Sequence, residues 1–345
     1  MHLATQEHVG LDTEFLRERT YRAQLCLLQL SAGSDAVCVD PLSLSDLTPL
    51  ANALTATTVT KVMHASRQDI EVLLPIGGVV RPVFDTQIAA ALVGLPPQIG
   101  YADLVRRLLG QELAKTHTRT DWSHRPLSAE QIEYALDDVR FLVPLQSQLA
   151  ERLEKLGRLG WLAEELAALA DERSFTMQPE QAWTRVKGLG ALDPARTRLA
   201  RELAAWRERR AAGRNRPRGW ILDDAALREI VVRVPRSLPS LASVAALPPG
   251  LVKSCGEEIL ACINAAQIPD PPPAMPNRLR PDPVKTSRIK QLATLNQSIA
   301  AELGLSPEVL ATRRDLEKLA EGRQDAAVLK GWRRVIVGER LLAAL

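Results

Sequence analysis

The chain has only four cysteines in 345 residues, Cys26, Cys38, Cys255 and Cys262, and no C-x-x-C pair. That excludes a disulfide scaffold, a zinc ribbon and a thioredoxin-type site. Cys26 and Cys38 lie in apolar, strand-like runs and read as core residues, while Cys255 and Cys262 share the spacing of one helix face. Long apolar runs are missing too: none reaches the roughly 18 residues that a membrane span needs. The opening stretch MHLATQEHVGLDTEF has neither a basic n-region nor a long apolar h-region. The expectation is a cytoplasmic protein with no membrane partner. No G-x-G-x-x-G follows the first strand and no G-x-x-x-x-G-K-[ST] occurs, so dinucleotide-binding and P-loop readings fail. Neither sign of charge prevails, with 44 Lys+Arg against 41 Asp+Glu. At 46% hydrophobic and 25% charged, the chain is globular rather than disordered.

What is present divides the chain into parts. At roughly 100–200 residues per domain, the length suggests two or three. In the first 145 residues, β-rich runs alternate with helical patterns. His8–Phe15, Leu25–Leu30 and Ala36–Asp40 read as successive strands, the first two joined by a charged turn around Arg17–Tyr21 as in a hairpin. Leu44–Leu54 has helical spacing, Val59–His64 is strand-like, Gln68–Leu74 helical, and Val79–Phe84 strand-like before a helical DTQIAAALVG. This pattern predicts an α/β domain with a mixed sheet. Ser128 and Gln131 have capping-box spacing and open a helix that can run to Lys155. Residues 193–266 then repeat the order helix, basic turn, short helices. Seven prolines between Pro269 and Pro283 read as a semi-rigid linker. The expected units are an α/β domain over 1–165, an all-α module over 190–268, a linker over 269–283 and a second all-α module over 284–345.

The chemistry gathers in the first unit. Asp12 and Glu14 are two apart in a strand, so both carboxylates point to one face. Such a pair costs desolvation and mutual repulsion, which a divalent cation between them relieves. Alone, D-x-E is served as well by a strand end with one acid in solvent. Asp69, in HASRQDI, opens a helical pattern, where a carboxylate also has an ordinary place beside the helix dipole. Tyr134 and Asp138 are four apart and share a helix face, with Asp137 turned toward solvent. A solvent-facing helix stripe with Tyr134 half-packed would have the same spacing. Three separated acidic elements with one tyrosine are far more specific together. They suit two-metal phosphodiester cleavage, with Mg²⁺ or Mn²⁺ ions roughly 3.5–4 Å apart. The oxygen-only donor set and the lack of Cys/His clusters argue against zinc.

LDTEF at 11–15, HASRQDI at 64–70, FDTQIAAAL at 84–92, KTHTRTDWSHRPLS at 115–128 and YALDDVRFL at 134–142 together resemble the bacterial ribonuclease D family. That resemblance implies an RNase H-like fold and DEDDy 3′→5′ exonuclease chemistry. It implies that Asp12, Glu14, Asp69 and Asp138 bind the metals, Asp12 bridging both, with Asp69 acting through metal-bound water. Tyr134 would orient the attacking water. Residues 199–241 are similar to the HRDC module (helicase and RNase D C-terminal), an auxiliary nucleic-acid-binding helical bundle. Residues 284–345 look like a second, diverged copy without the PRGWILD signature of 217–223. Only eleven residues precede Asp12, so an element that the family places there would be short or absent. The implied fold class is an RNase H-like exonuclease domain followed by two small HRDC-type bundles.

Several residues are candidates for touching RNA. His64, beside the second motif, either contacts a substrate phosphate or is a core histidine bonded to backbone. Trp122, in a polar loop with Asp121 and Arg125, either stacks on a terminal base or anchors the loop. His117 and His124 read as loop surface, and Trp206 and Trp220 as core or half-core. Arg207, Arg209, Arg210, Arg214, Arg216 and Arg218 fall within twelve residues. Of these, Arg209, Arg210, Arg214 and Arg216 are the candidate phosphate contacts, against the alternative of a solvated face. Residues 1–165 carry 15 Lys+Arg and 21 Asp+Glu, net −6; the remaining 29 and 20 give +9, recovering the total of +3. The expected function is a monomeric exoribonuclease that releases nucleoside 5′-monophosphates from RNA 3′ ends. The resemblance points to tRNA precursors with single-stranded 3′ tails as partners. A DNA exonuclease of the same fold and a non-catalytic RNA-binding adaptor are the alternatives.

Overall fold

In the computed structural model, which describes residues 6–113, 120–189, 192–269 and 282–345, five strands form one sheet in the order β3-β2-β1-β4-β5. These are β1 (His8–Leu16), β2 (Gln24–Ala32), β3 (Asp35–Val39), β4 (Thr60–Met63) and β5 (Val83–Asp85). β1 runs parallel to β4 and β4 to β5, whereas β2 and β3 are antiparallel. The sheet is therefore mixed, and its central strand carries Asp12 and Glu14. Around it lie α1 (Thr48–Thr55), α2 (Arg67–Gly77), α3 (Thr86–Leu92), α4 (Tyr101–Leu109), α5 (Ala129–Arg140), α6 (Leu142–Lys155) and α7 (Leu159–Ala167). One side of the core joins Leu11, Leu28, Met63 and Ile70 to α1 and α2.

The single helix expected over 128–155 is broken at Phe141, whose φ is −103°. Pro144 gives the reason. It has no N–H for the helical ladder, and its ring excludes the carbonyl of residue 140. α5 ends one turn earlier, just past Asp138. Its start has the predicted capping box, with Gln131 N donating to Ser128 Oγ at 3.2 Å and Ser128 N to Gln131 Oε1 at 2.7 Å.

A second compact unit comprises Arg17–Gln24 and Thr176–Arg280. It contains α8 (Pro194–Arg214), α9 (Arg218–Ile221), α10 (Asp224–Arg233), α11 (Leu238–Ala242) and α12 (Pro249–Ala265). Asp193 caps α8 by accepting from Arg196 N at 2.9 Å, and Pro194 stands where no N–H is needed. Leu199, Leu203, Leu227, Ile230, Ile259 and Ile263 make its core. The charged segment at 17–24 is more than a hairpin turn, because it belongs to this unit: Tyr21 Oη donates to the buried Glu208.

Helices α13 (Pro283–Leu303), α14 (Pro307–Leu310) and α15 (Arg313–Ala320), and the short helices after them, belong to the first unit. Leu292, Ile299 and Leu316 share one hydrophobic core with Leu142, Leu145 and Leu149 of α6. Trp332 stacks on Trp161 at 4.3 Å, with 6° between the ring planes. Arg158 donates to Leu92 O at 2.7 Å and to Leu303 O at 2.6 Å. Residues 270–281, most of the expected linker, and residues 114–119, with His117, lie outside the described residues. No helix among the described residues is long and apolar enough to cross a membrane.

Candidate active site

Asp12 and Glu14 project from β1 toward the C-terminal turn of α5. One carboxylate oxygen from each of Asp12, Glu14 and Asp138 lies within 4.8 Å of the others. Asp69 stands in the first turn of α2, 7% exposed, and accepts from Thr13 Oγ1 at 2.5 Å. Thr13, between the two acids in β1, thus ties the second acidic element to the first. Asp138 is the acid of the 137–138 pair that faces the group. Asp137 is turned away and accepts from Arg140 Nη1 at 2.5 Å.

Close packing sets this approach. Gly10, two residues before Asp12 on the same face of β1, lies under the end of α5. A Cβ there would sit 2.2 Å from Ser31 Oγ, 2.9 Å from Val139 O and 3.3 Å from Leu142 Cβ. Ser31 Oγ, from the neighbouring strand, donates to the same Val139 O at 2.7 Å. Tyr101 Oη spans the break after α5, donating to Asp137 O at 3.1 Å and accepting from Phe141 N at 3.2 Å.

The turn leading to Asp69 is fixed from β5. The Asp85 carboxylate, 2% exposed, accepts from Ser66 N and Ser66 Oγ, both at 2.8 Å, and from Ala65 N at 3.2 Å. It also caps α3, accepting from Gln87 N at 2.9 Å and Ile88 N at 3.2 Å. Ala65 has φ +54°, a left-handed conformation that costs a non-glycine residue about 1 kcal/mol. The hydrogen bonds from Asp85 offset it.

Burial and like charge act together on the acids. Desolvation first, then Asp69, Asp138 and Glu14, push Asp12 well above the usual carboxylate range. Burial, then Asp138 and Asp69, raise Glu14 to about 8. Burial raises Asp138 to about 7, with Asp137 adding and the Tyr134 hydrogen bond opposing. Burial lifts Asp69 to about 6, against the pull of Thr13. Tyr134 is also pushed upward, by burial and then by Asp138, Glu14 and Asp12. Such a group holds together at neutral pH by keeping protons or by taking up cations. The donors are all carboxylate oxygens, with no imidazole or thiol among them, and fit hard divalent ions.

The candidate RNA contacts fare differently. His64 has both ring nitrogens engaged, Nδ1 with Thr86 Oγ1 at 2.9 Å and Nε2 with Ile99 O at 3.0 Å, so it has none for a phosphate. Trp122 is 4% exposed, with its ring 6.2 Å from that of Tyr134 at 29°; it supports Tyr134 and does not receive a base. Its loop is fastened by Arg125, which bonds Asp40 with both Nε and Nη2 at 2.7 Å and reaches Cys26 O at 2.8 Å. In the second unit, Arg207 is buried and paired with Asp224, and the part-exposed Arg218 is paired with the buried Glu208. Arg210 is held by both Glu258 oxygens at 2.7 Å. Arg209 stands 3.6 Å from Glu180, and Arg214 and Arg216 are exposed. Trp206 is buried as expected, but Trp220, read as half-core, is 59% exposed.

The sequence reading missed Gly10, Asp85 and Tyr101. An Asp directly before a helical run is an N-cap signal that could have found Asp85 as a cap, though not as the brace for Ala65 and Ser66.

Comparison with known proteins places this geometry. Residues 1–154 match the family model described as 3′-5′ exonuclease, and residues 196–263 the HRDC domain. Ribonuclease D of Nitrobacter hamburgensis is 38% identical over 347 aligned residues, 99% of this chain and 90% of the relative. The chain belongs to the ribonuclease D family. Ribonuclease D of Xanthomonas oryzae pv. oryzae is 37% identical, covering 100% of this chain and 95% of its own. The crystal structure of Escherichia coli RNase D, described as an exoribonuclease involved in structured RNA processing, superposes with a TM-score of 0.87. It has 31% identity, covering 99% of this chain and 94% of that one. The protein is accordingly a ribonuclease D-type 3′→5′ exoribonuclease, a phosphodiester hydrolase with an HRDC domain.

Proposed function

We propose that this ribonuclease trims the single-stranded 3′ tails of tRNA precursors, acting as a monomer, with Asp12, Glu14, Asp69 and Asp138 as its metal ligands. The observation that carries the site is the meeting of three buried-edge carboxylates within 4.8 Å, with Asp69 close enough to raise Asp12 further. Two Mg²⁺ or Mn²⁺ ions, when bound, supply an activated water and neutralise charge on the leaving 3′ oxygen. Asp12 and Glu14, on a central strand, give the site its rigid side. Asp138 faces them from a helix end held by Ser31 and Tyr101.

Tyr134 donates to Asp138, which leaves its phenolic oxygen as an acceptor. In that position it aligns the attacking water along one line, while burial and neighbouring carboxylates keep the phenol protonated. Trp122, stacked on the ring, fixes its direction.

We also infer that residues 284–345 are a diverged HRDC-like copy. α8 and α13 are both 21 residues long, open with Asp then Pro, and end in a left-handed residue, Asn215 or Gly304. Each is followed by a four-residue helix and then a capped third helix.

The test is digestion of a 3′-extended tRNA with and without Mg²⁺ by the wild type and Asp12→Ala, with Mg²⁺ binding followed by calorimetry. Mononucleotide release and metal binding are expected of the wild type alone. Equal behaviour of the two proteins sinks the assignment.

A further inference from the structure

Trp220 is the most exposed aromatic side chain among the described residues of the second unit. It follows the C-terminus of α8 in the short α9 and exposes 59% of its surface. The Arg216 guanidinium lies 5.7 Å from the indole centroid, which holds the ring upright without covering it. Beside the ring opens a cleft of about 320 Å³, lined by Arg210, Arg214, Pro248, Leu251 and Ser254 together with Trp220 itself. The cleft has an apolar wall and a cationic rim. Asp223, its one acid, is occupied at 2.7 Å by Ala226 N as the cap of α10. Arg210 is held by Glu258, which Arg214 also helps to keep below the usual carboxylate range, but neither Arg214 nor Arg216 closes an ion pair among the described residues.

An exposed indole with Arg216 against it and Arg214 on the cleft rim matches a flat aromatic ring joined to phosphates. A folded protein surface would want a continuous apolar patch, and here the apolar part is one ring and one narrow wall. We propose that this cleft is a binding site for unpaired RNA, in which one base stacks on Trp220 while Arg214 and Arg216 take the flanking phosphates. The site rests on the reading of the chain as an RNA exonuclease and adds to it a second, non-catalytic grip on single-stranded substrate. It is sequence-tolerant, because every base presents a π-face.

The test uses full-length protein disabled by Asp12→Asn, with fluorescein-labelled oligo(A), oligo(U) and a matched duplex, in polarisation assays across a salt series. Trp220→Ala is expected to weaken binding of both single strands about tenfold at every salt concentration, and Trp220→Phe to restore most of it. Arg216→Gln is expected to flatten the slope of log K against log salt by about 0.7. A 5-iodouridine oligonucleotide is expected to crosslink at Trp220. Unchanged affinity in Trp220→Ala, crosslinks confined to other residues, or a duplex bound as tightly as the single strands would each overturn the site. Mononucleotide release by the wild type tests the parent reading separately. Release without Trp220-dependent binding refutes this site alone, and Trp220-dependent binding without release supports it while refuting the exonuclease reading.

Discussion

Gly10 of β1 and Val139 at the end of α5 meet so closely that a Cβ on the glycine would stand 2.9 Å from the valine carbonyl. The contact lies one residue from Asp138 and two from Asp12, so it sets how near the helix acid comes to the strand acids.

Gly10→Ala is therefore expected to displace the Ser31 hydroxyl, 2.2 Å from the added Cβ, breaking its bond to Val139 O, and to push the end of α5 outward. The overpacking costs about 1–3 kcal/mol of stability. Because Asp138 moves with Val139, Mg²⁺ affinity should fall too, even at temperatures where the variant is fully folded. Urea denaturation and calorimetric Mg²⁺ titration separate the two effects. A variant with wild-type metal affinity would show that the approach is set elsewhere.

The metal-free protein should lose stability as pH rises. Glu14, Asp138 and Asp69 have folded values near 8, 7 and 6, above those of the unfolded chain. The folded state therefore holds protons that the unfolded state releases. Its advantage is whole below about pH 4 and is lost as pH climbs through about 6 to 8. In EDTA, Tm should fall across this window, and Asp138→Asn should lessen the fall. Mg²⁺ should stabilise more at about pH 8 than at about pH 5.5, because fewer protons must be displaced. A flat Tm profile would show that the acids are not coupled as the geometry implies.

Tyr134→Phe keeps the ring on Trp122 and removes only the hydroxyl. We expect kcat to fall about 10²-fold with Mg²⁺ affinity and Tm nearly unchanged. Loss of metal binding instead would make Tyr134 a support for Asp138.

Lys61, 1% exposed in β4, donates from Nζ to Ala56 O at 2.7 Å, Val59 O at 2.9 Å and Arg81 O at 2.8 Å. Lys61→Met fills the volume but strands three carbonyls, at a cost of about 3 kcal/mol or more. Equilibrium unfolding in urea measures it. A loss under about 1 kcal/mol would mean that water replaces the ammonium.

Much of the site could be read from the sequence because its signals are local. The i,i+2 alternation of β1 aims Asp12 and Glu14 together, and the helical period turns Asp138 inward and Asp137 out. The break after Arg140 was equally local, written in Pro144, but the strong capping box and apolar period on either side masked it. What escaped depends on partners remote in the chain. Trp122 is buried because the loop is bolted by Arg125 to Asp40, 85 residues away. Two of the six arginines, Arg207 and Arg210, are tied down because Asp224 and Glu258 arrive 17 and 48 residues later. A run of like charge shows no sign of the acids that will meet it. Trp220 was misread for the opposite reason, since an indole next to Ile221 and Leu222 usually finds a core, and this one does not.

The shared core of α6 and α13 has a consequence for how the enzyme is made. The strand with Asp12 and Glu14 leaves the ribosome early, whereas Leu292 and Ile299, which complete the packing under α6, follow nearly 300 residues later. Between them the chain must lay down an entire second helical unit. The nuclease center is thus finished late in synthesis, so a nascent fragment would carry the acids without the support that aligns them. A protein that consumes RNA is, by the order of its own chain, slow to become one while still attached to its message.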